Sequence, residues 1–516
     1  MQSERAEGGG HDSAAALQGI IDRLEAAFAA RDYEQVAEML ETQLLEAWFG
    51  QRPERLAEML RGLAASPVPL PPMVAALAVM VDPAGDSRYQ QEDVQDALSK
   101  AGSIEAVAML VGRMLKLRLD GHPKDAYELA ARLADNMQPL RPLIDQQGGW
   151  ASFASLQQGN TALLAGDFQA ALAFFTQAQF HLPVPTLPFF TRDAYVKYAL
   201  IHACFGDTEL ARSALHSAAA IPQTNSWVEH VIDVVVSIVE AMLAPAADEE
   251  AASRILAIPV QYLGEMWPFY AFALQLVLER CGQRASAERQ LEMLDMTALP
   301  RFDGEGFSGS VIPASLAANA LVAGNIGRAR ELLARADPDV PTTQIVEMML
   351  AIISGRPADA LRIARALHPS VQGLRQLELW RAGAMASAFL AVDDVEAVVA
   401  TVRAAVALSG RISAHETGYF ALDVRELVRA RIENWPDTPE TGHPHTGRVS
   451  TTKASLTGRE IEVLALVVRG DTREEIAAKL FLSTNTVKAH WRSIYRKLGV
   501  TSRSAAMIEA ERRGIL

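Results

Sequence analysis

From about Ala14 to Ile432, apolar residues recur at helical spacing, and alternating Val/Ile/Thr runs that would mark strands are nearly absent. The pattern predicts an all-α region. Within it a turn signal repeats, a glycine followed five residues later by an alanine: Gly121/Ala126, Gly166/Ala171, Gly206/Ala211, Gly282/Ala287, Gly324/Ala329 and Gly355/Ala360. The successive separations are 45, 40, 76, 42 and 31 residues, so the 76 reads as two periods, and Asp393 to Val399 reads as a further copy. A glycine can end one helix in the left-handed conformation, and a small alanine lets the next helix pack closely against it. Each such hairpin leaves an apolar face that a neighbouring hairpin must cover, which predicts a helical solenoid with a period of about 30 to 50 residues.

The clearest copy runs Gly159-Asn160-Thr161-Ala162, then Gly166-Asp167-Phe168, Ala171, Phe175 and Ala178. It resembles the tetratricopeptide repeat at its small and aromatic positions, except that Gln158 stands where that pattern has Leu. The expected architecture is therefore an irregular, tetratricopeptide-like hairpin solenoid over residues 15–432, preceded by a disordered tail over 1–14. Residues 433–455, rich in Pro, Gly, Ser and Thr, read as a flexible linker. His443 and His445 flank Pro444 there, with no Cys or carboxylate at ligand spacing, so they read as solvated side chains and no metal site is expected.

A different pattern begins at residue 456. Thr457 and Glu460 form a capping box ahead of the apolar series Ile461, Val463, Leu464, Leu466 and Val467, which predicts a first helix to about Arg469. Gly470 ends it. Asp471 or Thr472 then caps a short second helix, Arg473 to Leu480, with Ile476, Ala477 and Leu480 on one face. After a tight connection, Ser483 caps a third helix from Thr484 to Leu498, stopped by Gly499, and a fourth runs from a Ser502 cap to about Arg513. In the third helix Val487, Trp491, Ile494 and Leu498 form the buried stripe, while Lys488, Arg492 and Arg496 make a basic ridge in steps of four. Helix, short turn, then a helix with a polar start is the geometry that places the second helix of the pair in a DNA major groove.

Composition and charge sharpen this picture. The 516 residues carry a net charge of −14, which argues against a polyanionic partner until its distribution is considered. From Lys453 to Leu516, twelve Lys and Arg stand against seven Asp and Glu, a balance of +5, so the preceding part carries −19. Cys204 and Cys281 alone support neither a disulfide framework nor a zinc cluster, and a reducing, cytoplasmic setting is expected. The N-terminus lacks the layout of a secretory signal, and the most apolar stretches, Pro67 to Val81 and Val228 to Pro245, are short or interrupted by charges. No membrane partner is expected.

The strings LTGREIEVLALVVRG and EEIAAKLFLSTNTVKAHWRSIYRKLGV, with the fourth helix behind them, resemble the DNA-binding domain of LuxR-type regulators over residues 456–516. Thr472-Arg473 departs from the Ser-Asn usual before the EIA segment. The resemblance implies that Lys488, Ala489 and Arg492 face base edges and that Arg473, Asn485, Thr486, Ser493 and Arg496 lie near phosphates of double-stranded DNA. Arg and Lys can donate to guanine O6 and N7, and a small Ala can approach a thymine methyl. It also implies that the fourth helix, with Ala505, Ala506, Ile508 and Ala510, serves dimerisation, its plainer role being to complete the small core. The helical array is similar to the sensor region of the large MalT-like regulators, whose nucleotide-binding module is absent because no G-x-x-x-x-G-K-[ST] string occurs. The expectation is a sequence-specific transcription regulator, a homodimer on DNA, whose repeats receive a peptide, protein or small-molecule signal on an exposed concave surface. Two other classes stay open: a helical-repeat interaction scaffold with a vestigial DNA-binding domain, and an enzyme, for which no nucleophile, metal or phosphate-loop motif speaks and no cofactor is expected.

Overall fold

The computed structural model describes residues 2–71, 74–75, 78, 104–137, 149–181, 184–245, 247–408, 412–433, 435–436, 458–498, 500 and 502–512. Among them every regular element is helical. The chain divides into two compact units, one made of residues 1–281 with 296–309 and the other of 282–295 with 310–516.

Except at Gly206, where φ is −115°, the glycines of the repeated turn are left-handed as the sequence suggests. At Gly121, Gly166, Gly324 and Gly355 the glycine has φ between 71° and 97°, and the next residue's N–H returns to a carbonyl in the last turn of the preceding helix, as Asp167 does to Ala162 at 2.9 Å and Asn325 to Ala320 at 2.8 Å. This six-to-one closure satisfies carbonyls that a helix end leaves orphaned. The following Asp or Asn caps the next helix: Asp167 accepts from the Ala170 N–H, Asp207 from Glu209 and Leu210, and Asn325 from Arg328. Ala126, Ala171, Ala211, Ala287, Ala329 and Ala360 are all fully buried.

The gap of 76 residues is filled by a turn without glycine. Ala247 has φ 63°, Asp248 caps Glu249–Leu256, and Ala252 is buried five residues on, which splits the interval into 41 and 35. Asp393, at φ 59°, forms the same turn, with Asp394 as the cap and Val398 buried. Arg31, at φ 59°, with Asp32 as the cap and Val36 buried, is one more, which the glycine pattern does not reveal.

Helices alternate between two kinds. Trp150–Ala165, Phe189–Phe205 and Trp267–Arg280 in the first unit, and Pro341–Ile353 and Arg375–Leu390 in the second, are buried on nearly every side. Their partners bury one stripe only, such as Phe168, Ala171, Phe175 and Ala178 of Phe168–Phe180, or Ala360, Ala364, Leu367 and Val371 of Pro357–Val371. A helix apolar all round belongs in an interior, one with a single stripe at a surface. Gly159 shows how close the pairing is, because a Cβ there would lie 2.5 Å from the Phe175 ring. Gln158, out of place in the repeat pattern, is buried and donates to the Ala130 carbonyl at 3.1 Å.

The first helix is Gln2–Ala29, whose apolar turn at Leu17, Ile20 and Leu24 is buried. The fully buried helices expose little of themselves to solvent. In the first unit, other segments of the same chain cover them. Phe49 packs among Phe153, Phe189, Phe190 and Trp227, with ring centroids 5.2–6.0 Å away. Phe307 lies 4.8–6.1 Å from the rings of Phe168, Phe205, Phe269 and Phe272. The buried Arg118 is paired here, engaging Glu265 at 2.6 Å, the Gln157 carbonyl and Thr161. No helix among the described residues is long and apolar enough to cross a membrane, and no group of three or more His, Cys, Asp or Glu among them could hold a metal ion. The linker histidines, His443 and His445, lie outside the described residues.

Candidate nucleic-acid interface

The C-terminal segment has its own core: Val463, Leu464, Val467, Ile476, Ala477, Val487, Trp491, Ile494, Leu498, Ala506 and Ala510. Its four helices are Gly458–Val468, Arg473–Lys479, Thr484–Leu498 and Arg503–Arg512. Thr457, half of the expected first capping box, and Gly499 lie outside the described residues. The second helix carries a capping box of its own. Thr472 accepts from the Glu475 N–H at 3.3 Å while the Glu475 carboxylate accepts from the Thr472 N–H at 2.7 Å. The Thr472 N–H and, next, the Thr472 hydroxyl donate to the Glu475 carboxyl and hold it below the usual range. Ser483 and Ser502 cap the third and fourth helices, accepting from Thr486 and Ala505 at 3.1 Å each.

The third helix divides as its period requires. Val487, Trp491, Ile494 and Leu498 face the core, whereas Asn485, Lys488, Ala489 and Arg492 are exposed on the opposite side. Those four are spaced by three, one and three residues, so they share a face. Among the described residues neither Lys488 nor Arg492 has a hydrogen bond or ion pair, and their charges stand uncompensated. Thr486 and Ser493 flank this face half-buried. The Thr486 hydroxyl, 2.8 Å from that of Ser483, takes part in the cap. Arg473 is exposed on the first turn of the second helix. Arg496 lies on the third helix, and its side chain is outside the described residues.

Other basic side chains, invisible as such in the sequence, are bolts within the domain. Lys479 binds both Asp471 carboxylate oxygens at 2.8 Å. Arg503 reaches from the fourth helix to the Val467 carbonyl at 2.9 Å and the Asp471 carbonyl at 3.3 Å, satisfying the end of the first helix. Arg459 pairs with Glu462 at 2.6 Å and also donates to the Leu480 carbonyl, which ties the first helix to the turn before the third. In the fourth helix Ala506 and Ala510 are fully buried in the domain's own core. The Ile508 side chain lies outside the described residues.

Residues 454–510 match the family model for bacterial regulatory proteins of the luxR family. The transcriptional regulatory protein LiaR of Bacillus subtilis (strain 168) is 41% identical over 68 residues, which is 13% of this chain and 32% of that protein. The chain thus spans about a third of the length of that relative. No solved structure matches the chain. The family match falls on the four helices just described. The C-terminal domain of this chain is a DNA-binding domain of the luxR family of bacterial regulatory proteins.

Proposed function

We propose that the chain is a sequence-specific transcription regulator that reads the DNA major groove with Thr484–Leu498 and receives its signal through the tetratricopeptide-like helical array. The carrying observation is the exposed face of Asn485, Lys488, Ala489 and Arg492, backed by a buried stripe, with neither Lys488 nor Arg492 in a hydrogen bond or ion pair among the described residues. In this reading Lys488, Ala489 and Arg492 meet base edges. Arg473, Asn485, Thr486, Ser493 and Arg496 meet phosphates, which orient the helix without choosing sequence. Two copies on paired half-sites about one helical turn apart would supply a two-fold operator. The −19 of the preceding region against the +5 of the domain supports a second element, electrostatic masking of the domain by its own repeats.

The test is selection of binding sites from random duplex DNA by the full-length protein and by its Lys488→Ala plus Arg492→Ala variant. A motif that the wild type recovers and the variant loses supports base reading through the third helix. A motif recovered equally by both removes Lys488 and Arg492 from the reading, and silence of both the full chain and the C-terminal domain favours the interaction scaffold.

A further inference from the structure

Phe481 is the anomaly of the C-terminal domain. It stands in the turn between the second and third helices with its side chain 96% exposed. Its backbone is left-handed, φ 56°, in the same closure that glycine adopts elsewhere in this chain: the Leu482 N–H returns to the Ala477 carbonyl at 2.9 Å and the Phe481 N–H to Ala478 at 3.4 Å. The other non-glycine residues at positive φ among the described residues are Arg31, Ala247 and Asp393, none of them aromatic. A bulky residue gains nothing locally in this conformation, and a bare ring in water gains nothing either. Glycine would relieve the first cost and a polar residue the second. Strain retained at such a position marks a surface used for something else.

The surroundings indicate for what. The carbonyl of Leu480, next to Phe481, is held by Arg459, so the turn is fixed against the first helix. Two residues after Phe481 comes the Ser483 cap, and then the exposed series Asn485, Lys488 and Arg492, whose uncompensated charge favours a polyanion at this end of the domain. The apolar surfaces a duplex offers are thymine methyl groups in the major groove and the C–H faces of deoxyribose. We infer that Phe481 is an affinity determinant of the DNA complex, its ring packing on such an apolar face at the margin of the bases read by the third helix. This rests on the DNA-binding reading above, and the test separates the two.

The experiment measures binding of the full-length protein and its F481G and F481L variants to the selected operator at fixed salt, alongside thermal melting. Operators with thymine replaced by uracil, base pair by base pair, are measured in parallel. F481G should melt no earlier than the wild type, because the turn is relaxed, yet bind about fivefold to tenfold more weakly, with F481L in between. If the contact is a thymine methyl, one uracil substitution weakens the wild type by a similar factor and leaves F481G unchanged. If it is deoxyribose, uracil is without effect and F481G loses the same factor on every sequence. Wild-type affinity in F481G overturns the inference, including the case in which that variant binds DNA normally but no longer regulates transcription, which would assign the ring to a protein partner. If neither the full-length wild type nor the C-terminal domain selects an operator, the DNA-binding reading is overturned, and this inference falls with it.

Discussion

Single residues in this molecule carry charge or strain that their neighbours explain, and His202 is the clearest case. It is buried in Phe189–Phe205, with its Nδ1 accepting from the Asp207 N–H at 3.2 Å. Burial pushes its pKa down to about 4, against a smaller upward pull from the Asp207 carboxylate. In the unfolded chain the imidazole takes its proton near the ordinary value of 6.5. Between these values the unfolded state binds more protons than the native one, so stability falls as pH drops from about 6.5 towards 4, by about 3 kcal/mol at most. His202→Asn keeps an acceptor for Asp207 and removes the titration. Denaturant midpoints at pH 7 and pH 5 should therefore differ less in the variant than in the wild type, and an equal pH slope in both would show that His202 is not the titrating group. Nothing in the sequence marks His202 for this. Its neighbours in the chain are ordinary, and the burial comes from helices far away in sequence.

At the scale of elements, the left-handed turn decides what was legible in advance. Where glycine occupies it, the period could be read directly, and Ala126, Ala171, Ala211, Ala287, Ala329 and Ala360 are buried as that reading requires. At Arg31 and Ala247 the same backbone is formed by residues that carry no such signal, so one copy stayed hidden and another showed only as a doubled interval. The four helices of the DNA-binding domain were legible almost to the residue because caps, glycine stop and apolar period agree there. The cover over the buried helices was not, because Phe49 and Phe307 reach their cages by long-range packing that no local pattern encodes. The turn itself is testable. Ala247→Gly should stabilise the protein by about 1 kcal/mol, since an L-residue in this region costs roughly that much more than glycine, whereas Gly166→Ala should cost about as much. Gly121→Ala should cost more than Gly166→Ala, because its Cβ would also meet the Arg301 backbone nitrogen at 2.6 Å. Equal and opposite results are not required, but a destabilised Ala247→Gly would contradict the strain assigned to that turn.

For the whole molecule the governing fact is segregated charge. A basic domain that must displace phosphate counterions is joined to a region of net −19, and that region offers the domain an intramolecular polyanion. The domain's charges sort into two groups. Arg459, Lys479 and Arg503 are spent on carbonyls and carboxylates inside it, while Lys488, Arg492 and Arg473 are exposed and available to either DNA or the acidic repeats. If masking operates, removing residues 1–432 should strengthen operator binding, most at low salt, and the advantage should shrink as ionic strength approaches about 0.15 M and the screening length falls to about 8 Å. The removal should leave the recovered motif unchanged, because every base contact proposed above lies within the C-terminal domain. Affinity of the full chain and the truncated domain would be compared on the same operator across a salt series. Equal affinities at low and moderate salt would eliminate masking and leave the repeats to act by presenting two domains to the operator, in which case truncation should instead weaken binding to paired half-sites more than to a single one.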